Sequence, residues 1–194
     1  MKFQFNKTEL QLINKQLKQR YSALPTLKNK ESALRAEVKR YKGYLKQIMV
    51  ELDDEINKIA NVQGVFVEYK NIVLVEKIKL KVQKIAGVKI PVLDGIDFKI
   101  ADFSLFNSPS WLLSGAELVK KVALLKVKKN VEARKIEILE YARKKTTQKV
   151  NLYEKVQIPE FEEAVIKIKR FLADEENLDR ASQKIVKKRK ADVI

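Results

Sequence analysis

Chemistry needs particular side chains at particular spacings, and this chain withholds most of them. Its 194 residues include no His and no Cys. That excludes imidazole general bases, thiolate nucleophiles and ordinary zinc sites. The five glycines, Gly43, Gly64, Gly87, Gly95 and Gly115, are too scattered to form a phosphate-cradling loop. Adjacent carboxylates such as Glu162 and Glu163 are available for acid–base work. They sit among many lysines and read as helix-surface charge. The residues imply no catalytic site, no cofactor site and no metal site, so the chain is not expected to be an enzyme by itself.

What the chain offers instead is charge. It carries 41 Lys plus Arg against 25 Asp plus Glu, a formal net charge of +16. Such a surplus favours polyanionic partners, whether acidic proteins, nucleic acid or lipid headgroups. No run approaches the ~18 consecutive apolar residues of a membrane-spanning helix. The opening "MKFQFNKTELQL" lacks the apolar core and cleavage site of a secretion signal. With no Cys either, the expected location is cytoplasmic.

Two long helical arms position these charges. The first begins at Asn6, a helix cap with Glu9 three residues on in capping-box spacing. From there Leu10, Ile13, Leu17, Arg20, Leu24, Leu27, Glu31, Leu34, Val38, Tyr41, Leu45, Ile48, Leu52, Glu55 and Ile59 step by three and four. This sustained seven-residue repeat predicts a left-handed supercoil. Pro25 should bend the helix, and Gly43 is a second soft point.

The second arm is predicted to open at Ser114–Glu117, "SGAE", another capping-box match. Its seam reads Leu118, Val122, Leu125, Lys129, Glu132, Ile136, Leu139, Arg143, Thr146, Val150 and Tyr153. Beyond these come Gln157, Phe161, Ala164, Ile168 and Phe171, with a doubled step of four around Pro159. Ile158 is a poor cap, and the apolar face carries through. The pattern therefore predicts one bent helix rather than two.

Between the arms, "KIKLKV" from Lys77 to Val82 alternates with period two and reads as a strand. "VKIPV", Val88 to Val92, answers it, which predicts a short hairpin over about 77–92, turning at Ala86 and Gly87. Pro91 marks an edge strand. Residues 62–76 fit neither helix nor strand clearly, and residues 94–113 read as loop. The expected architecture is mainly α, one elongated domain over 1–194. A long helix at 6–61 and another at 114–190 form an antiparallel left-handed coiled coil, joined by a middle segment at 62–113 with its short β-hairpin.

A second apolar row, Leu124, Val127, Val131 and Ile138, lies nearly opposite Val122 and Ile136 on the second arm. A two-stranded coil leaves that side wet, so something covers it. The candidates are the chain's own middle segment folding back, or a second protein.

These segments carry a family resemblance. "TTQKVNLYEKVQIPEFEEAVIKIKRFL" resembles the carboxy-terminal signature of the D subunit of V-type ATPases, through Thr147, Val150, Asn151, Leu152, Ile158, Pro159, Glu162 and Ile168. "GVKIPV", Gly87 to Val92, resembles that family's hairpin, with Val88 and Pro91 in place. "NKTELQL" resembles its opening motif at Asn6 and Thr8, although Lys7 and Glu9 replace the usual Pro and Arg.

The resemblance implies a central rotor shaft with no nucleotide site. Its partners would be the ring of A and B subunits, the small F subunit, and the socket subunit joining the membrane rotor. It would lie in the cytoplasm, peripheral to the membrane. On this reading Leu124, Val127, Val131 and Ile138 meet the F subunit or the hairpin. Arg180, Lys184, Lys187, Lys188 and Arg189 meet the ring, or else form a solvated helix end favoured by the helix dipole. Pro25 and Pro159 supply the bends. A prefoldin-type chaperone also joins long helices through hairpins, but with shorter arms. A basic coiled-coil nucleic-acid binder would want aromatics within its basic patches.

Overall fold

A computed structural model describes residues 3–60, 72–102 and 109–191. Helix α1 spans Lys7–Ala60, strand β1 Val73–Ile85, strand β2 Val88–Ile100 and helix α2 Leu112–Leu152. A single wide π-helical turn, Tyr153–Gln157, leads into helix α3, Ile158–Ala191. The chain divides into two compact units. Residues 1–30 with 146–194 form one, called here the terminal unit. Residues 31–145 form the other, the hairpin unit.

The cap of α1 is where the sequence puts it. Asn6 Oδ1 accepts the Glu9 backbone N–H at 2.6 Å, satisfying one of the donors a helix start leaves free. Every predicted seam residue of α1 from Leu10 to Ile59 is buried or half-buried. The heptad pattern therefore states which stripe of this helix is covered. Pro25 lies within α1 without ending it, exposed on its surface.

In the terminal unit, Ile13 of α1 packs among Phe161, Ala164, Val165 and Ile168 of α3, with Leu10, Leu17 and Leu172 at the margin. The two helices run antiparallel: Lys28 pairs with Glu154 at 2.6 Å, while Leu10 meets the Leu172 end. Phe171 departs from expectation. It is 46% exposed, and the neighbouring Leu172 takes the seam seat. Phe171 instead lies beside Phe5, ring centroids 5.1 Å apart.

The π turn explains the doubled step of four read at Tyr153, Gln157 and Phe161. An inserted spacing of four unwinds a heptad seam, and a wider turn absorbs it. Ile158 N–H bonds back five residues to the Tyr153 carbonyl. Pro159 follows at once. It has no N–H to return to Lys155, and its ring crowds the carbonyl four residues back. The wide turn opens at that crowded point, and helical backbone runs through it.

In the hairpin unit, Leu34, Val38 and Tyr41 of α1 pack with Ile136 and Leu139 of α2, and Ile90 of β2 completes the cluster. Leu34 and Leu139 are fully buried, and Ile90 is 1% exposed. Lys42 and Glu140, 2.5 Å apart, tie the same helices at the surface.

The hairpin is longer than predicted. It spans 73–100 rather than about 77–92, so residues 94–100, read as loop, are strand. The reason is a register shift: Lys79 faces Gly95 and Leu80 faces Leu93, leaving Asp94 as an extra residue. Asp-Gly at a bulge looks in sequence like Asp-Gly in a turn. A second shift at Glu76 extends pairing through Val73, which assigns 73–76 of the stretch that fitted neither type. Its residues 62–71 lie outside the described residues.

The turn itself falls at Ala86 and Gly87, with φ of 48° and 78°. Positive φ at both central positions is the two-residue turn whose twist matches the strands. Helix α2 begins at Leu112, two residues before the predicted cap, as Leu112 N–H reaches the Pro109 carbonyl at 3.0 Å.

Candidate subunit interface

Among the described residues no three His, Cys, Asp or Glu side chains come together where they could hold a metal ion. Among the same residues no helix is long and apolar enough to cross a membrane. The candidate site is therefore a set of surfaces, each positioned by the helix pairing within its own unit.

The second apolar row lies in the hairpin unit. Leu124, Val127, Val131 and Ile138 are all half-buried on α2. Ile138 packs against the cluster that the hairpin tip joins through Ile85, Ala86, Val88 and Ile90. At that level the chain's own middle segment folds back on the helices. Near the hairpin base, Ile72, Leu112 and Ala116 form a separate buried cluster with Val73 and Trp111 beside them.

The basic residues of the tail lie on α3 in the terminal unit. Arg180, Lys184, Lys187, Lys188 and Arg189 are all exposed. Arg180 pairs with Glu176 at 2.6 Å, one helical turn back. From Ala173 to Arg189 every residue is exposed, including Leu178, Ile185 and Val186.

Two arrangements escape the sequence reading. One is a polar lock at the π turn. Arg20 Nε donates to Gln157 Oε1 at 2.8 Å, and its Nη1 donates to the Gln16 carbonyl at 3.1 Å. The guanidinium lies 4.4 Å from the Phe161 ring centroid, a cation–π distance. Arg20 is the first residue to break the apolar seam, and Gln157 is the polar seam residue beside Pro159. Their pairing is visible only once the arms are set in antiparallel register.

The other is a shallow basic groove in the hairpin unit. Arg35, Lys39, Lys42, Lys46 and Arg143 surround Val38 and Gly43, with Glu140 the acid among them. Its signal is present in the sequence: cations at 35, 39, 42 and 46 repeat at helical spacing. A Cβ at Gly43 would meet nothing within 4 Å, so the glycine is not there to make room.

Among the described residues of this unit, one charged group is buried. Lys135 is 4% exposed, with Nζ 2.5 Å from Glu132 and 5.2 Å from the Tyr41 ring centroid. The carboxylate neutralises it and the ring face accepts the remaining field, which is how a lysine tolerates burial.

Comparison with known proteins assigns the family. The family model that describes the D subunit of ATP synthase matches residues 9–188, nearly the whole chain and both units.

The chain belongs to the ATP synthase D-subunit family.

Among its relatives is the V-type ATP synthase D subunit of Borreliella burgdorferi, 29% identical over 189 residues, covering 96% of this chain and 94% of the relative. The protein of the same name from Chlamydia pneumoniae is 28% identical over 193 residues, covering 94% of this chain and 90% of its own length. That of Chlamydia caviae is 30% identical over 172 residues, with 86% and 83% covered. The D-subunit signature read in sequence falls on the π turn: Val150 and Ile158, both buried, bracket it, and Pro159 closes it.

Proposed function

We propose that this D subunit is the central shaft of a rotary V-type ATPase. It transmits torque between a ring of A and B subunits and the membrane rotor that moves ions. It carries no nucleotide and no catalytic residue. Its immediate partners are the A/B ring, the F subunit and the socket subunit above the membrane rotor. It sits on the cytoplasmic side, peripheral to the membrane.

The observation that carries this reading is the antiparallel pairing of α1 with the second helical run in each unit, Leu10, Ile13 and Leu17 in one and Leu34, Val38 and Tyr41 in the other packing with the facing helix. A torque-bearing part needs helices that resist bending, and paired helices brace one another. The Leu124, Val127, Val131 row offers half-buried apolar surface for the F subunit beyond the hairpin. Exposed Leu178 and Ile185 with the basic tail offer an end that acidic loops of the ring can grip.

Mixing the chain with purified A, B and F subunits tests the reading. A stoichiometric complex is expected. Reversing charge at Lys187, Lys188 and Arg189 should weaken assembly, most at low salt, because screening already mutes these contacts at high salt. Wild-type assembly by that variant would return the tail to a solvated helix end.

A further inference from the structure

The hairpin presents two very different strands. β2 is half-buried along most of its length, with Ile90 in the core of its unit. β1 is exposed from Leu74 to Lys84. Ile78, Leu80 and Val82 are 43%, 53% and 72% exposed. They pair across the ladder with Ile96, Leu93 and Pro91, so one face of the sheet is apolar on both strands. The core contact is made from the other face, by Ile85, Val88 and Ile90.

Among the described residues no other strand pairs with the outer edge of β1, which belongs to a two-stranded sheet. With a two-residue turn at Ala86 and Gly87, Ile85 and Val88 are the pair that bond each other. By alternation, Lys84 and Val82 aim their N–H and C=O groups outward. Pro91, opposite Val82, has no N–H to offer, which spares the ladder and blunts the β2 edge. β1 has no proline, and its irregularity at Glu76 lies at the far end. Lysines along an edge guard it against another basic strand while leaving its main-chain groups available to an acidic one.

Charge selects which strand. Lys77, Lys79 and Lys81 alternate with the apolar residues. Two of them already choose acids from β2: Lys79 pairs with Asp97 at 2.9 Å and Lys81 with Asp94 at 2.6 Å. A second copy of this chain, paired antiparallel, would set lysine against lysine, which opposes association.

We propose that the outer edge of β1, Lys77–Lys84, is a strand-docking site for an extended segment of a partner protein that alternates apolar residues with Asp or Glu. Main-chain bonds give such docking its affinity, and alternate side chains its choice of partner. The site does not depend on the shaft reading and stands or falls separately from it.

The test uses the full chain and a fluorescent synthetic peptide of alternating valine and glutamate, with a valine–lysine peptide and phosphatidylserine vesicles as comparisons. Saturable binding of the acidic peptide is expected, with the basic peptide excluded. Val82→Pro removes one outward N–H and should weaken binding about tenfold or more, with the hairpin ladder intact by hydrogen exchange. The double variant Lys77→Glu, Lys84→Glu should favour the basic peptide, and it decides the matter even if Val82→Pro unfolds the hairpin. Undiminished binding to a folded Val82→Pro chain would overturn the proposal. So would unchanged preference in the double variant, or vesicle binding that the acidic peptide fails to displace.

Discussion

The two units solve one problem with different means. Each brings a stretch of α1 against an antiparallel helix. The hairpin unit adds a third element: Ile90 from β2 seals a cluster in which Leu34 and Leu139 are wholly buried. The terminal unit has only two helices across most of its described length. It closes its seam with Phe161 and fixes the pairing with the Arg20–Gln157 contact at the π turn. A third layer lets apolar packing specify the arrangement. Without one, a polar contact that fits only one register does the specifying, as single polar seam residues do in coiled coils.

That contrast predicts a ranking of substitutions. Leu139→Ala should cost the most, about 3 kcal/mol or more, because it opens a cavity walled by three elements that cannot collapse together. Ile168→Ala in the terminal unit should cost less, about 2 kcal/mol, because two helices can close on the gap. Urea unfolding of both variants measures the difference; equal losses would erase the distinction between the units.

Arg20→Ala should come next, at about 1.5 kcal/mol, since it strands Gln157 and removes the cation from Phe161. Its more telling readout is register. Cysteine pairs placed across the α1–α3 seam, in a chain with no native cysteine, should crosslink in a single alignment in the parent and in several in the variant. One alignment in both would show that apolar packing suffices.

How much of this is legible in the sequence differs by region for physical reasons. The α1 seam is fully legible, because a seven-residue apolar repeat has one interpretation when held from Leu10 to Ile59. The hairpin turn is legible from Ala86-Gly87, but its length is not, because a bulge at Asp94 mimics a turn. The pattern puts Phe171 on the seam and Leu172 occupies it, because periodicity alone does not fix the phase beyond the π turn. The Arg20 lock needs a pairing register that no single helix encodes. The second apolar row is readable as a half-buried face on α2, and Ile138 of that row packs against the cluster that Ile90 joins.

Pro159→Ala sharpens the contrast at its origin. It restores an N–H and relieves the crowding that accompanies the π turn. The exposed position should change stability by no more than about 1 kcal/mol. Coupling of ATP hydrolysis to ion transport should change more, since the turn sets the path of the helix that bears the basic tail. Unaltered coupling in that variant would remove the turn from the mechanism.

The smallest effect concerns pH. The Tyr21 hydroxyl donates to Glu162, and this bond, with the nearby carboxylate charge, raises the tyrosine pKa above its ordinary value of 10.0. A group raised on folding stabilises the fold below its unfolded pKa, and that contribution is lost as pH rises through the folded value. Tyr21→Phe should therefore flatten the loss of stability above about pH 10 and leave neutral pH almost unchanged. An identical alkaline profile would show that the bond contributes nothing.

The shaft reading proposed above requires this chain to turn inside a ring of A and B subunits. The variant Lys99→Cys, at an exposed hairpin position, can carry a bead in a complex whose A/B ring is fixed to glass. ATP should drive the bead round in one direction, with rotation stopping when ATP is removed. A complex that hydrolyses ATP while the bound, labelled chain stays still would contradict the shaft.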